Sequence, residues 1–321
     1  MAILRLLAAV AAATAASRCA ADVVTVLAGD SGVTVRADGA PFASYLFRSG
    51  TRPVLWPVVG PGEVGVTRDY PLQPPAPHGT DDHVHHRSMW IGYEGVNGVD
   101  FWHEPETDRQ RPLPIGTVRR SELVRADSTG EVATVGTRND WLDPEGKPVA
   151  HDQRLIEFRA HGDTRTMDFF VDIWSPEGPL RFGDTKEGMF AIRVADSMRV
   201  DAGRGGRIRT SAGLRDAAAW GQPAEWADYS GPVDGQACGV AIFAHPSGYN
   251  PKPRWHVRPY GLFAANPFGV AAYSEGADAP AGGAEFDEGE RVRLRYRVLL
   301  YSGRRTPEWI AERFREYADE P

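Results

Sequence analysis

The chain has 321 residues, of which 42% are hydrophobic and 25% are charged, a composition typical of a globular protein and not of a disordered one. Its net charge of −7 gives no electrostatic reason to expect nucleic-acid binding or adhesion to anionic membranes, and two cysteines exclude a fold built on disulfides. Glycine (35) and proline (25) are more frequent than average, which favours short strands joined by turns over long helices.

The first 21 residues have the pattern of a secretory signal peptide. Arg5 supplies a positive charge, residues 6–16 are apolar, and small residues precede Asp22. Eleven apolar residues are fewer than the about 20 that a bilayer-spanning helix needs. We therefore expect an exported protein, periplasmic or extracellular, with no membrane span, and a single domain at residues 22–321.

Alternating apolar and polar residues predict strands in the rest of the chain. Residues 23–47 contain β-branched runs separated by turn residues, which indicates a meander. In residues 167–174 the apolar side chains share one face, and in residues 291–301 apolar residues alternate with arginines. Thr306 as a cap, Pro307 at the first position and an apolar stripe predict a helix near the C-terminus. The predicted fold is all-β: a large antiparallel β-sandwich with a short C-terminal helix.

The densest group of chemically capable residues begins at Asp81. Five of the nine histidines lie between positions 78 and 103, with Trp90 and Trp102 among them. Imidazoles near neutral pKa, beside carboxylates and a fixed cation, suit acid–base catalysis or metal binding. If residues 83–90 are extended, His85 and Arg87 face one way and His86 the other. We take His85, His86 and Arg87 as candidate catalytic residues.

Metal binding is the alternative use of this group. The His83-Val84-His85 spacing resembles the start of a cupin-type metal site, but Ser88 and Met89 occupy the positions where a carboxylate ligand would follow. We predict no cofactor and assign no metal ligand, and the sequence leaves a divalent metal at His83 and His85 open.

Two further clusters carry charged residues. Asp184, Lys186 and Glu187 lie between glycines and can place a carboxylate and an ammonium group with mutually tuned pKa values in a cleft. In an extended chain, His256 projects together with Arg254 and Arg258, whose charges disfavour the imidazolium and leave a neutral base. The remaining catalytic candidates are Asp184, Lys186, Glu187, His256 and Arg258. A salt-bridged hairpin tip is the structural alternative for the first cluster.

Aromatic and amide side chains near these clusters are candidate substrate contacts. Nine tryptophans in an exported β-protein suit stacking on sugar rings, although tryptophans more often fill cores. The candidate binding residues are Trp90, Asn97, Asp100, Trp102, Trp255, Tyr260 and Asn266. The P-loop, the G-x-S-x-G motif and the dinucleotide fingerprint are all absent, which disfavours nucleotide-dependent and serine-hydrolase chemistry.

Several ordered motifs resemble one family, the PmoA family of secreted bacterial proteins, a domain of unknown function labelled methane oxygenase. They stand at residues 85–90, 96–102, 183–188, 255–258 and 265–269, and the likeness runs from about Arg52 to Tyr317. Val84 and Ser88 depart from the family pattern, where proline and glycine are frequent. The resemblance implies a β-sandwich similar to that of sugar mutarotases, with an association with polysaccharide use.

These observations favour an exported carbohydrate-active enzyme that performs lyase-like or glycosidase-like acid–base chemistry on a glycoside. His85, His86 and His256 would exchange protons, with Glu187 or Asp184 assisting, and Arg87, Lys186 and Arg258 would hold an anionic group. A non-catalytic carbohydrate-binding or cell-surface module is the second hypothesis. The third, implied by the family label, is a metal-dependent oxygenase. The sequence leaves the substrate and the oligomeric state open.

Overall fold

The computed structural model describes residues 21–108, 110–274 and 280–321. The predicted signal segment, except for Ala21, lies outside the described residues. No helix in the described part of the chain has the length and apolarity needed to span a bilayer.

Nineteen strands and one α-helix make up the described chain. The first ten strands are β1 (Val24–Ala28), β2 (Gly32–Ala37), β3 (Ala40–Ser49), β4 (Arg52–Val58), β5 (Met89–Val96), β6 (Val99–Asp100), β7 (Thr117–Ser128), β8 (Ala133–Leu142), β9 (Pro148–His161) and β10 (Thr164–Trp174). They are followed by β11 (Leu180–Phe182), β12 (Gly188–Arg193), β13 (Arg207–Thr210), β14 (Trp226–Val233), β15 (Gln236–Ala244), β16 (Arg254–Val257), β17 (Leu262–Asn266), β18 (Ala284–Phe286), β19 (Val292–Ser302) and the helix α1 (Pro307–Ala318). Single 3-10 turns lie at Pro61–Glu63, Asp196–Met198, Asp216–Ala219 and Ala271–Tyr273.

The strands form two large antiparallel sheets, which confirms the predicted sandwich. Sheet A has the order β1-β2-β3-β4-β5-β12-β17-β16, with β6 and β11 paired to β5 and β18 paired to β11. Sheet B has the order β13-β14-β15-β19-β10-β9-β8-β7. The predicted N-terminal meander is β1 to β3, and the predicted strands at residues 167–174 and 291–301 lie in β10 and β19, which are neighbours in sheet B.

The main core lies between the sheets and is built by alternation. Phe169 of β10 contacts Phe190 of β12 with ring centroids 4.7 Å apart, and Tyr296 of β19 lies 5.1 Å from Phe190. All three side chains are at most 2% exposed. The strand period of two then directs the alternate residues of β5, β12 and β17 to the outer face of sheet A.

The helix α1 covers the outer face of sheet B. Thr306 caps it, because its Oγ1 accepts a hydrogen bond from the backbone N–H of Trp309 (3.3 Å). Ile310 and Tyr317 are buried against side chains of β14, β15 and β19. The predicted helix and cap are therefore confirmed, and the outer face of sheet A is where the histidine-rich segment lies.

Candidate functional site

A row of outward-facing residues crosses sheet A beneath the histidine-rich segment. Val54, Trp90, Ala191, Ala264 and His256 are register neighbours in β4, β5, β12, β17 and β16. The two alanines project only a methyl group, which leaves room above the middle of the sheet. The row therefore has a large aromatic residue at one side, an imidazole at the other and a shallow floor between them.

An open cleft of about 580 Å³ lies over this floor. It is mostly polar: eleven of its thirteen lining residues carry a titratable side chain, and the other two are Trp220 and Ala272. The lining residues are His83, His85, His86, His103, Asp108, Arg111, Lys186, Glu187, Trp220, His256, Arg258, Tyr260 and Ala272.

The segment that carries His83, His85 and His86 is a turn, so the expected extended conformation is wrong. His83 and Ser88 adopt positive φ angles of 46° and 57°, and the backbone N–H of His86 donates to the carbonyl of His83 (2.9 Å). The turn brings the three imidazoles together: the ring centroids of His83 and His86 are 4.7 Å apart, and those of His85 and His86 are 4.5 Å apart. All three rings therefore face the same cleft.

Two buried arginines hold this histidine turn (residues 83–88) onto the sheet. Arg68 Nη1 and Arg193 Nη2 both donate to Asp82 Oδ1, at 2.7 and 2.9 Å. Asp82 Oδ2 lies 2.7 Å from His83 Nδ1. Although partial burial acts to raise it, the pKa of Asp82 lies well below its usual range because of His83, Arg193 and Arg68. The carboxylate thus remains charged and ties the turn to β12.

The contacts of His86 define its tautomer. Arg193 Nη1 lies 3.2 Å from His86 Nδ1, and because a guanidinium only donates, Nδ1 is the acceptor and Nε2 carries the proton. The ring stacks on Trp90 with centroids 5.4 Å apart. Burial, followed by the proximity of His85 and Arg193, lowers the pKa of His86 well below its usual value, so the ring is neutral.

His103 and His85 lie side by side, with ring centroids 4.6 Å apart. His103 Nδ1 is 2.8 Å from Asp100 Oδ2, and Asp100 Oδ1 accepts hydrogen bonds from the backbone N–H groups of Trp102 and His103. Asp100 therefore fixes the orientation of His103. His85 Nδ1 lies 3.2 Å from Asp108 Oδ2, and burial followed by His103 lowers the pKa of His85.

On the opposite wall, His256 meets Glu187. His256 Nδ1 donates to the carbonyl oxygen of Lys186 (2.8 Å) and lies 3.7 Å from Glu187 Oε2. Burial lowers the pKa of His256 to about 3, and Arg258 and Lys186 act in the same direction against the Lys186 hydrogen bond. Burial raises the pKa of Glu187, in opposition to Lys186 and His103. A carboxyl group with a raised pKa and a neutral imidazole therefore lie next to each other.

The loop that carries Glu187 is fixed by two side chains that lie outside the cleft. Asn266 donates to the carbonyl of Thr185 (2.8 Å) and to the hydroxyl of Tyr273 (3.1 Å). Asp184 accepts four backbone hydrogen bonds from residues 270–272 and 282, at 2.7 to 3.2 Å. Burial acts to raise the pKa of Asp184, but these hydrogen bonds hold it below its usual value. Both residues position the loop.

Aromatic and cationic groups complete the cleft. Tyr260 lies parallel to His83 with ring centroids 5.1 Å apart, and the guanidinium of Arg193 lies 4.8 Å from the Tyr260 ring. The guanidinium of Arg258 lies 5.2 Å from the Trp220 ring. Burial raises the pKa of Tyr260 to about 12.

Seven of the fifteen sequence-predicted residues line the cleft. They are His85, His86, Lys186, Glu187, His256, Arg258 and Tyr260, which come from all three predicted clusters. The other eight lie elsewhere, and most of them support this wall or the floor. They are Arg87, Trp90, Asn97, Asp100, Trp102, Asp184, Trp255 and Asn266.

Arg87 points away from the cleft because the turn reverses the expected alternation. Its Nε and Nη2 atoms donate to the two carboxylate oxygens of Glu104, at 2.5 and 2.6 Å. Glu104 is buried (2% exposed), so this bidentate pair fixes the chain on either side of the site. Arg87 is not among the residues that line the cleft.

The three predicted tryptophans are buried. Trp90 and Trp102 are 1% and 0% exposed beneath the histidines, where they support the floor instead of presenting a sugar platform. Trp255 (0% exposed) faces the main core and donates to the carbonyl of Ala224 (3.0 Å). Asn97 occupies the tight turn between β5 and β6, where its φ is 48°, and accepts a hydrogen bond from the backbone of Arg181 (2.7 Å).

Five cleft residues were not assigned a role from the sequence: His103, Asp108, Arg111, Trp220 and Ala272. His103 belonged to the histidine-rich segment, and its spacing from Asp100 (Asp100-x-x-His103) is a signal that could have identified it. Trp220 was recognisable only as an aromatic residue near the third cluster. Asp108 and Arg111 lie in an irregular loop after β6, and no periodic pattern identified them.

Residues 32–315 match the sequence model of DUF6807, a family of unknown function. The chain belongs to this family. The expected membership of the PmoA family is therefore wrong, because no match to that family is found. The hypothesis of a metal-dependent oxygenase rested on the PmoA family label, so it has no remaining support. A search of curated proteins finds no relative with significant sequence similarity.

Two of the solved structures that are similar to this DUF6807 protein have low sequence identity and low TM-scores. One is a glycoside hydrolase family 97 enzyme from Pseudoalteromonas sp. strain K8 in complex with panose, with 9% identity and a TM-score of 0.34. The likeness covers 88% of this chain and 35% of that one. The other, HI1317, has 7% identity and a TM-score of 0.27, covering 86% of this chain and 99% of that one. Neither likeness identifies a ligand or a reaction.

Proposed function

We propose that this protein is an exported carbohydrate-active enzyme that performs acid–base chemistry on a glycoside or a polysaccharide fragment in the cleft. The observation that carries the proposal is the contact between Glu187 and His256, whose pKa values are shifted in opposite directions. Pairs of titratable groups whose environments separate their pKa values are the usual acid and base of an active site.

Glu187 is the proton donor of the pair. Its side chain is only 14% exposed, and burial raises its pKa because the charged carboxylate is poorly solvated. Lys186 Nζ lies 3.6 Å from Glu187 Oε1 and opposes this shift without reversing it. The carboxyl group therefore retains a proton at a pH where an exposed glutamate has lost it.

His256 is the proton acceptor. Because Nδ1 donates to the Lys186 carbonyl, the neutral ring carries its proton on Nδ1, and the lone pair is on Nε2. No described residue forms a hydrogen bond with Nε2, and His256 lines the cleft. The lone pair is therefore available to a substrate proton.

The size and chemistry of the cleft fit one or a few sugar units. A volume of about 580 Å³ lies within the range of small-molecule sites, and its lining is polar, as a polyhydroxylated ligand requires. The parallel Tyr260 and His83 rings offer a stacking edge at its mouth, where the His83 side chain is 41% exposed. Lys186, Arg111 and Arg258 supply donors for an acidic sugar.

Within the proposed class, the geometry favours a lyase over a hydrolase. The two carboxyl groups of a glycosidase lie about 5–9.5 Å apart on opposite sides of the bond. Here Glu187 Oε2 lies 3.7 Å from His256 Nδ1, so the carboxyl group and the imidazole share one wall, with the basic Nε2 on the other side of the ring. This spacing suits elimination across two neighbouring ring carbons: His256 takes the proton next to a sugar carboxylate, the electron pair forms the C=C bond, the C–O bond breaks, and Glu187 protonates the leaving oxygen.

Turnover of uronate-containing and neutral oligosaccharides tests this proposal, with product mass and ultraviolet absorbance of the unsaturated product as readouts. Glu187→Gln and His256→Asn are each expected to lower kcat by about 10²–10⁴-fold, because each removes one proton-transfer group. The asparagine amide can still donate to the Lys186 carbonyl. Glu285→Gln, which changes an exposed carboxylate paired with Arg181, is the matched control and should leave kcat unchanged.

The outcomes separate the alternatives. A product whose mass has increased by one water molecule would show that the reaction is hydrolysis and not elimination. Binding of oligosaccharides without turnover of any of them, with an affinity that Glu187→Gln and His256→Asn leave unchanged, would contradict the enzyme proposal and support a binding module.

A further inference from the structure

Three potential metal ligands converge at the end of the cleft next to β6. His85, His103 and Asp108 each offer one ligand atom, and these atoms lie within 4.8 Å of one another. The side chains are 8%, 5% and 18% exposed. Ligands of one ion lie about 3–3.5 Å apart at metal–ligand bond lengths near 2.1 Å. Small side-chain rotations are therefore sufficient to bring all three onto one ion.

The orientation of His103 is the first independent observation. Its Nδ1 is held by Asp100 Oδ2, which directs Nε2 outward as a potential ligand. Asp100 (0% exposed) is itself fixed by two backbone N–H groups. A carboxylate that orients a ligating histidine in this way is a recurrent feature of metal sites.

The lack of partners for His85 is the second observation. The carbonyl oxygen of His85 is held by Arg52 Nη2 (2.8 Å), which fixes the residue in the buried wall. Its ring, in contrast, forms no hydrogen bond with any described residue, although Asp108 Oδ2 lies 3.2 Å from Nδ1. Because the ring lines the cleft and has no hydrogen-bond partner among the described residues, its nitrogens are available to an ion there.

The side chains of a neighbouring set of potential ligands are already engaged in hydrogen bonds with the protein. Glu94, Asp100 and His103 also bring their ligand atoms within 4.8 Å of one another. However, Glu94 accepts hydrogen bonds from Arg111 (2.5 Å) and from Thr185 (2.7 Å), and both oxygens of Asp100 are engaged. In the set formed by His85, His103 and Asp108, Asp108 Oδ2 accepts hydrogen bonds from the backbone N–H of Glu104 (3.2 Å) and from Thr107 Oγ1 (2.9 Å), whereas Asp108 Oδ1 accepts none from the described residues. Oδ1 is therefore the carboxylate oxygen that remains for an ion.

We propose that His85, His103 and Asp108 bind one divalent transition-metal ion, with the remaining coordination positions open to the cleft. Two imidazoles and one carboxylate favour zinc-class ions over Mg²⁺ or Ca²⁺, which prefer oxygen ligands. A site with three protein ligands is typical of ions that also bind water or substrate. This inference concerns different residues from the Glu187–His256 pair and does not depend on the proposed reaction.

Metal binding is measured on the purified chain after treatment with a chelator. Titration with Zn²⁺ by calorimetry, and with Co²⁺ by visible absorbance, should give about one ion per chain, a Co²⁺ spectrum typical of nitrogen ligation and a higher Tm. His85→Ala and His103→Ala should each weaken binding by more than about tenfold. Asp100→Asn, which alters only the positioning residue, should weaken it by about tenfold.

The matched control is His161→Ala, which removes an exposed imidazole at the end of β9, away from the cleft, and should leave affinity unchanged. Circular dichroism of each variant verifies the fold. Less than about a tenth of an ion per chain, or an affinity that does not change in His85→Ala and His103→Ala, would overturn the proposal. Because binding is measured without substrate, this failure is distinct from the absence of turnover in the glycoside assay.

Discussion

At the scale of single residues, burial determines the protonation of the proposed acid and base more than neighbouring charges do. The sequence predicted a neutral His256 because of the adjacent arginines, and the predicted direction is right. The main cause is different: burial contributes most, Arg258 adds to it, and Arg254 turns away to donate to the carbonyl of Gly221 (2.7 Å). Burial depends on which loops cover β16, and this information is absent from local sequence.

The opposed shifts predict an acidic pH optimum. Glu187 must be protonated to donate, so kcat/KM should fall as pH rises above its raised pKa. His256 must be neutral to accept, so kcat/KM should fall only as pH drops toward about 3. The charged and titratable groups that act on the pair are Lys186, His103, Glu94, Arg111, Arg258 and His83.

The dependence of kcat/KM on pH checks this prediction. Glu187→Gln should abolish the decline on the alkaline side, since the amide does not titrate, and leave a low, flat residual rate. A profile that instead rises to a plateau with a midpoint near 6.5, the unperturbed histidine value, would show that a solvated imidazole acts as the base.

At the scale of elements, regular strands were predictable and the histidine turn was not. Periodicity identified β10 and β19, and a cap with an N-terminal proline identified α1. The turn depends on positive φ angles at His83 and Ser88, which non-glycine residues seldom adopt and which no sequence pattern indicates. It also depends on Asp82, whose two arginine partners are distant in sequence.

Removal of the Asp82 carboxylate should release this turn. Asp82→Ala leaves the buried Arg68 and Arg193 guanidiniums without their shared counterion, and we expect a loss of about 2 kcal/mol or more in the free energy of unfolding. Because the turn carries three cleft histidines, turnover and metal affinity should fall with it. Denaturant unfolding followed by fluorescence measures the first effect.

A matched variant isolates this effect. Asp81→Ala removes the adjacent carboxylate, for which no ion pair is seen in the described residues, and should change the free energy of unfolding little. Equal stability of the Asp81 and Asp82 variants would show that the arginines do not anchor the turn.

At the scale of the whole molecule, the two sheets share one core and carry different structures on their outer faces. Sheet A has the histidine turn and the cleft, whereas sheet B has α1 packed on Trp226, Phe243, Leu299 and Tyr301. The inward and outward faces of the core strands followed from alternation. The sequence did not predict which loop covers the outer face of sheet A. That choice depends on ion pairs between residues more than a hundred positions apart, such as Asp82 with Arg193.

This separation predicts that stability and activity respond independently to changes under α1. Ile310 is 0% exposed, so Ile310→Ala leaves a cavity that should cost about 2–5 kcal/mol and lower the Tm by several degrees. kcat and metal affinity of the protein that remains folded should be unchanged, since no α1 residue lines the cleft. Ile310→Val, which removes one methylene, should show a Tm shift less than half as large. A fall in kcat that accompanies either variant at a temperature well below its Tm would mean that the outer face of sheet B is coupled to the cleft through the shared core.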